Sequence, residues 1–350
     1  VTHRFEDETH RQGAHSAPLV GKHLIFQSAV AAIVLALLAF GVAEAEPAAP
    51  QQIARGVTLI PGTVPADRGP DGNTVVFDGP RGLIVVDTGR HIEHSDAILA
   101  FARAQDRPIA AIVNTHWHLD HTSGNRRIKA VFPEARVYAT SGIDAVLAPG
   151  GFLERGLARA RARVSDATVP EAERVETALF LETMDNAQFL RPDIVASESG
   201  RMRIARRRFD VRVTNGAVSE ADIWLYDSRT RVAVLGDLVT FPSPFFESAC
   251  PDAWRAELDA VWTTPFALAI PGHGEPMSRA QFDVYRSAFN AFMDCVGSES
   301  EASICTTIWA DGVAEFLSDE HETSEARAYA SYYVGFLRAN GGKSPDCAAD

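Results

Sequence analysis

The run Asn114-Thr115-His116-Trp117-His118-Leu119-Asp120-His121 places three imidazoles and one carboxylate within six residues. Neutral imidazole nitrogen and carboxylate oxygen are ligands for borderline-soft divalent ions such as zinc. Histidine-rich tracts are often solvated surface clusters. Here, however, the spacing is H-x-H-x-D-H and the apolar run Pro108-Ile109-Ala110-Ala111-Ile112-Val113 comes directly before it. A strand ending in that cluster holds its ligands at one sheet edge, which predicts a fixed metal site. Two further strand ends carry matching groups. Residues 232–235 run into Gly236-Asp237, and residues 267–270 run into Pro271-Gly272-His273-Gly274. The glycines there allow a sharp turn that aims the imidazole back.

Those strands need a scaffold. Residues 56–60 read as a first strand after a Pro/Ala/Gln linker at 46–52, and residues 74–77 and 83–87 read as a hairpin around Asp78-Gly79-Pro80-Arg81-Gly82. Helical periodicity follows from Ile92 to Ala104, then the strand that delivers the histidines, a short helix near 127–131 and a strand at 135–140. Residues 141–187 are rich in Ala, Arg and Glu without strand signal, and read as a helical cap or insertion. Strands resume at 202–205, 209–213, 223–226 and 232–237, with a helix at 252–262 before the strand that ends in His273. From Ser278 the chain reads as helix, interrupted near Gly297-Ser298-Glu299 and at Asp311-Gly312. Two sets of strands, each followed by helices, predict an α/β architecture of two stacked sheets with helices outside.

Together the three strand-end signatures resemble the metallo-β-lactamase fold superfamily, from about Gly56 to Pro276. The resemblance implies an αββα sandwich of two mixed sheets with a dinuclear site between them. It assigns His116 and His118 to a first metal, Asp120, His121 and His273 to a second, and Asp237 to a bridging position. Asp87, in the Val86-Asp87-Thr88-Gly89 turn, would orient a ligand imidazole by hydrogen bonding, as metal-bound histidines generally require. The implied domain plan is a leader at 1–45, a core domain at 46–276 with a helical insertion at about 141–200, and a helical C-terminal extension at 277–350.

One element of the pattern is absent. The family usually supplies another first-metal histidine just before the strand leading to Gly-Asp. Anchoring on Asp222 puts Val218 at that place, and no histidine occurs between His121 and His273. Valine has no lone pair, so we expect a fully ligated second site and a weak or empty first one. Asn215, Ser219, Glu220, His91 and His94 are the conceivable substitutes.

The bulk of the chain sets limits on partners and compartment. With 350 residues and 46% hydrophobic composition it can bury a sizeable core. A formal net charge of −13 leaves no positive surplus for phosphate contacts and argues against a nucleic-acid partner. The arginines at 155, 159, 161 and 163, and at 206–208, read as solvated faces. Lys22 and His23 precede an apolar run from Leu24 to Phe40, and Ala43-Glu44-Ala45 gives a small-x-small cleavage pattern. This predicts a signal peptide cut after Ala45, with no stable membrane anchor afterwards, and export to a bacterial periplasm or beyond. The nineteen residues before Val20 form a long acidic lead, and the first residue is Val, so the start is expected further in, with Val20 a candidate. Four cysteines in an oxidising compartment suggest disulfides. Cys295 and Cys305 are near neighbours, which leaves Cys250 with Cys347 by elimination. Three connectivities exist, and Cys250 as ligand or nucleophile is the alternative.

Such a site implies zinc, with iron or manganese as alternatives, activating water to attack a polarised carbonyl or phosphoryl group. Asp120 and Asp237 would orient that water and accept its proton. With only one metal present, His116 and His118 could instead donate to an oxyanion. The favoured reading is hydrolysis of a small ester, thioester, lactone or related substrate. A β-lactamase is a narrower case, because fold does not fix substrate. A different class is a degenerate periplasmic protein that binds a metal or ligand without turnover, which Val218 motivates. The aromatic and proline-rich loop Leu238 to Glu247 either lines an apolar substrate mouth or packs beneath the C-terminal helices, and Trp117 has the same two options.

Overall fold

The computed structural model describes residues 49–63 and 68–347, and the predicted leader at 1–45 lies outside them. The first sheet takes its strands in chain order: β1 (Gln51–Ala54), β2 (Val57–Ile60), β3 (Thr74–Gly79), β4 (Gly82–Val86), β5 (Ile109–Val113), β6 (Arg136–Ala139) and β7 (Ile194–Val195). β1 to β4 pair antiparallel, and β4 to β7 pair parallel. The second sheet contains β8 (Gly200–Ile204), β9 (Arg207–Thr214), β10 (Asp222–Asp227), β11 (Val232–Gly236), β12 (Leu268–Pro271) and β13 (Met277–Ser278), in the order β13-β12-β11-β10-β9-β8. Within it only β11 and β12 run parallel.

Side chains alternate faces along a strand, and the cores follow that period of two. Val75, Phe77, Ile84, Val86, Ala111 and Val113 of the first sheet meet Phe209, Val211, Ile223, Leu225, Val232 and Val234 of the second. The opposite face of the first sheet, through Val76, Leu83, Val85 and Ile112, buries Ile98, Leu99 and Ala102 of the helix Ile92–Ala104. The opposite face of the second sheet, through Trp224, Tyr226, Ala233 and Leu235, packs on Trp254 and Leu258 of the helix Pro251–Thr263. The same core continues into Phe289, Trp309 and Val334 of the later helices Arg279–Val296, Ala302–Gly312 and Glu320–Ala339. This is the expected αββα sandwich. Strands such as Leu83-Ile84-Val85-Val86 read as unbroken apolar runs because both of their faces are covered.

Three short strands depart from the sequence reading. β1 lies partly in the predicted linker, β7 lies inside the predicted helical insertion, and β13 follows the His273 turn. Each sits at a sheet edge and has two to four residues, too few to show a period. The insertion otherwise forms the helices Gly142–Leu147, Phe152–Val164 and Glu171–Asp185. Glu171–Asp185 has no fully buried residue, and it is held by half-buried Phe180 and Met184 against the cluster around Trp117 together with polar contacts.

Both expected disulfides are present, Cys250–Cys347 and Cys295–Cys305. Cys250 is thereby neither ligand nor nucleophile. Among the described residues no helix is long and apolar enough to cross a membrane.

The guanidinium of Arg207 on β9 is buried between the sheets. It donates to Asp227 of β10 and to the carbonyls of Gly56 (3.0 Å) and Asp78 (2.9 Å) beside the first sheet, and lies 4.8 Å over the Phe77 ring. Removing one partner strands the other charge, so Arg207→Met should destabilise by about 3–5 kcal/mol. Arg207→Met/Asp227→Leu should cost less than the single change. Denaturant unfolding of the three variants checks this, and equal losses in the single and double variants would refute it.

Candidate metal centre

Parallel pairs in both sheets end at the same place. β4 runs into Asp87 and β5 into residues 114–118, after which the single turn Leu119–Thr122 carries Asp120 and His121. β11 delivers Asp237, and β12 delivers His273. Main-chain bonds join the two edges. Ile223 N–H donates to the Thr115 carbonyl at 2.6 Å, and Asn73 N–H donates to the Gly272 carbonyl at 2.7 Å. The Asn73 side-chain amide also donates to the carbonyls of Pro271 (3.0 Å) and Gly274 (2.8 Å), gripping the His273 turn from the other sheet.

Two buried donor groups result, Asp120, His121, Asp237 and His273 in one and His116, His118 and Asp237 in the other. In the first group, His121 Nε2 is 3.1 Å from Asp237 Oδ1 and 3.6 Å from Asp120 Oδ2. His273 Nε2 is 3.0 Å from Asp120 Oδ2, 3.5 Å from Asp237 Oδ1 and 3.3 Å from His121 Nε2. Four ligands about 2.0–2.1 Å from a tetrahedral ion lie about 3.3 Å from one another, so this spacing fits a metal. In the other group, Asp237 Oδ2 is 3.5 Å from His116 Nε2 and 3.8 Å from His118 Nδ1. Asp237 therefore offers one oxygen to each group. Its Oδ1 and the Nε2 of His116 are buried without a hydrogen-bond partner, as atoms reserved for an ion would be. A Cβ at Gly72 would overlap the His121 ring, and one at Gly272 would overlap the Asp237 carboxylate, so glycine is required at both places.

The electrostatics agree. Burial opposes charge on His121, but the carboxylates of Asp237, Asp120 and Asp87 outweigh it and push its pKa well above the usual value. Burial likewise works against ionised Asp120 and Asp237, yet the facing His121 and His273 hold both well below the ordinary range. His118 shifts the other way, lowered by burial and by its neighbour His116.

Asp87 stands where the sequence reading put it. It adopts a left-handed backbone (φ 59°) in the turn after β4, a conformation that aspartate tolerates better than most residues. Its Oδ2 accepts from His121 Nδ1 at 2.9 Å and from Thr115 Oγ1 at 2.7 Å, and its Oδ1 accepts from the Thr115 N–H at 2.8 Å. Val218 is buried, and Asp222 accepts from the N–H groups of Ala217, Val218 and Ser219, which shapes the turn there. Burial raises the Asp222 pKa to about 6 against those bonds. No proposed substitute joins either group. Asn215 is exposed, Ser219 bonds Asp222, Glu220 accepts from Trp117 Nε1, and His94 faces Thr74 Oγ1 at 2.8 Å. His91 donates both ring N–H groups to carboxylates, Asp71 at 2.8 Å and Glu176 at 3.0 Å.

That last contact was not visible in the sequence. Glu176 lies on the half-buried helix Glu171–Asp185, and it also meets Arg68 and Arg90, whose guanidinium is 3.9 Å from Asp120. Asp71 and Ser248 were missed as well. Ser248 Oγ is 2.9 Å from His118 Nε2. The loop after Asp237 divides its duties. Leu238, Val239 and Phe246 are core, while Phe245 packs on His118 with ring centroids 5.2 Å apart. Trp117 is buried among Ile143, Val146 and Leu153, with its ring 4.5 Å from that of His118.

A family model described as the metallo-beta-lactamase superfamily matches residues 67–273. The chain belongs to that superfamily. A linear primary-alkylsulfatase of Pseudomonas sp. is 26% identical over 222 residues, covering 58% of this chain and 41% of the relative. An (R)-specific secondary-alkylsulfatase of Pseudomonas sp. is 28% identical over 182 residues, covering 47% and 27%. The superfamily member described here thus spans less than half the length of these curated relatives. The solved structure of a stereoselective inverting sec-alkylsulfatase from Pseudomonas sp. aligns at TM-score 0.55 and 19% identity, over 84% of this chain and 51% of that one. That likeness shows the shared fold.

The His91 contacts have a pH signature. Burial opposes its charge, but bonding to Asp71 and Glu176 raises its pKa from 6.5 to about 9. A raised folded-state pKa gives stability that is full below 6.5 and lost as pH climbs through about 9. Denaturation midpoints should therefore fall between about pH 7 and 9.5, and fall less in His91→Gln. A decline of the same size in both proteins would rule out this assignment.

Proposed function

We propose that this protein is a metal-dependent hydrolase of a small ester-type substrate, with zinc as the metal. The observation that carries the proposal is the shared carboxylate of Asp237, one oxygen to each buried donor group. Asp120, His121, His273 and Asp237 would hold the stronger metal, and His116, His118 and Asp237 a weaker one. A bound divalent ion supplies Lewis acidity and lowers the pKa of water, which makes a nucleophile at neutral pH. The chain's own groups supply the remainder. Asp120 and Asp237 orient the attacking water and take up its proton, and Asp87 holds His121 through Nδ1. Phe245, half-buried and packed on His118, would give the substrate an apolar wall there.

The substrate class follows from two considerations. Esters, thioesters and lactones suit water attack on a polarised carbonyl, while the alkylsulfatase relatives add sulfate esters and make an alkyl sulfate the first compound to try. The apolar wall suits an alkyl or acyl group. The second reading is a non-catalytic metal- or ligand-binding protein, which the buried Val218 favours by removing one donor. A β-lactam substrate is a narrower form of the first reading. Export to the periplasm is supported by the two disulfides, which persist in oxidising compartments.

Metal content and turnover should be measured together on the purified chain. We expect one firmly held metal per chain. Hydrolysis within a panel of alkyl sulfates, carboxylic esters, thioesters and lactones should be abolished by chelation and restored by zinc. Asp120→Ala should lose more than the roughly 10–100-fold typical for groups that only support a ligand. A metal-loaded chain inert to the whole panel would favour the binding reading, and two equally tight metals would contradict the asymmetry.

A further inference from the structure

Ser248 lies directly behind His118, in the loop between β11 and the helix Pro251–Thr263. Its hydroxyl is buried and has two partners, the Val218 carbonyl at 2.8 Å and His118 Nε2 at 2.9 Å. A hydroxyl carries a single proton. The Val218 carbonyl can only accept, so the Ser248 proton goes there, and His118 must donate Nε2–H to the Ser248 oxygen. The Nδ1 of His118 is then left bare. That bare nitrogen is 3.8 Å from Asp237 Oδ2 and can receive a cation.

The same reasoning applies to the neighbouring ring. Thr115 Oγ1 gives its proton to Asp87 Oδ2 at 2.7 Å, so it accepts from His116 Nδ1 at 3.0 Å and leaves His116 Nε2 bare. Two lone pairs and a carboxylate oxygen therefore converge with no proton among them. Such a set suits a cation and cannot donate to an oxyanion, which removes the donor role considered for His116 and His118 from the sequence.

We propose that Ser248 is the positioning residue of the first metal half, fixing His118 with Nδ1 towards Asp237 in a site that lacks the usual third histidine. The residue at 218 contributes its main chain rather than a ring. The Val218 carbonyl orients Ser248, and Ser248 orients His118. The first half becomes a set of two imidazoles and one carboxylate, the number of protein ligands that catalytic zinc sites commonly use while keeping a position open. The loop is held for this purpose on both sides. Cys250 N–H donates to the Ala217 carbonyl at 3.0 Å, and the Ser344 hydroxyl donates to the Glu247 carbonyl at 2.6 Å.

This inference rests on the metal-hydrolase reading only for the existence of a metal, and its test does not use turnover. Nitrogen-15 NMR of the metal-free native chain should show His118 as the neutral Nε2–H tautomer. Finding it as Nδ1–H, or doubly protonated at neutral pH, overturns the proposal without any variant being made. Zinc titration by calorimetry should then show Ser248→Ala weakening the looser site by about 10–100-fold while the tighter site is unchanged. Ser248→Thr, which keeps the hydroxyl, should recover most of that loss. An unaltered looser site in Ser248→Ala, or equal weakening of both sites, also overturns it. Failure of the hydrolase reading would look different, with the NMR and titration results as expected and every substrate left intact.

Discussion

Two carboxylates and four imidazoles are buried together at the joined sheet edges, and the carboxylates must meet positive charge there, from a facing imidazole or from an ion. His116, His118, Asp120, His121, Asp237 and His273 come from three separate stretches of chain. Burying carboxylates costs several kcal/mol each unless they are paired. The architecture around them counters that cost. Two hydrophobic cores clamp the sheets, parallel strands place loop after loop on one edge, and backbone bonds from Asn73 and Ile223 cross between the sheets where the donors meet. The fold is a frame that keeps these donors close enough for one ion to serve several of them.

The two halves of the centre are supported to different degrees. Asp87 acts on both sides, directly on His121 and through Thr115 on His116. Around the His121 half, a further ring of charge extends outward through Arg90, Glu176, His91 and Asp71. Burial opposes ionised Glu176, but hydrogen bonds from His91 and Arg68 lower its pKa to about 2. The helix Glu171–Asp185 joins this charge ring through Glu176 while Phe180 and Met184 pack on the cluster around Trp117. Around the His118 half the support is one hydroxyl and a set of aromatic rings.

Much of this was legible in the sequence because metal ligands at strand ends are local patterns. The cluster from His116 to His121, the Gly236-Asp237 pair and the Gly272-His273-Gly274 turn each announce themselves within a few residues. Two stacked sheets with helices outside followed from the strand runs and the αββα order from the family resemblance, while the disulfides found are one of three connectivities the cysteines allowed. What stayed hidden depends on partners far apart in sequence. Ser248 acts on a ring 130 positions earlier, and Glu176 on one 85 positions earlier. A serine or glutamate in a loop or an exposed helix carries no mark of such a task. The edge strands β1, β7 and β13 were hidden for another reason, since strands that short leave no periodicity to read.

The Cys250–Cys347 disulfide spans 97 positions and seals the loop that carries Ser248. The loop behind His118 is thus tied covalently to residue 347, whereas the donors around His121 are held by strand ends and hydrogen bonds. Reduction would remove a restraint from the Ser248 side of the centre and none from the His121 side, so the two halves differ in what a thiol reductant can reach.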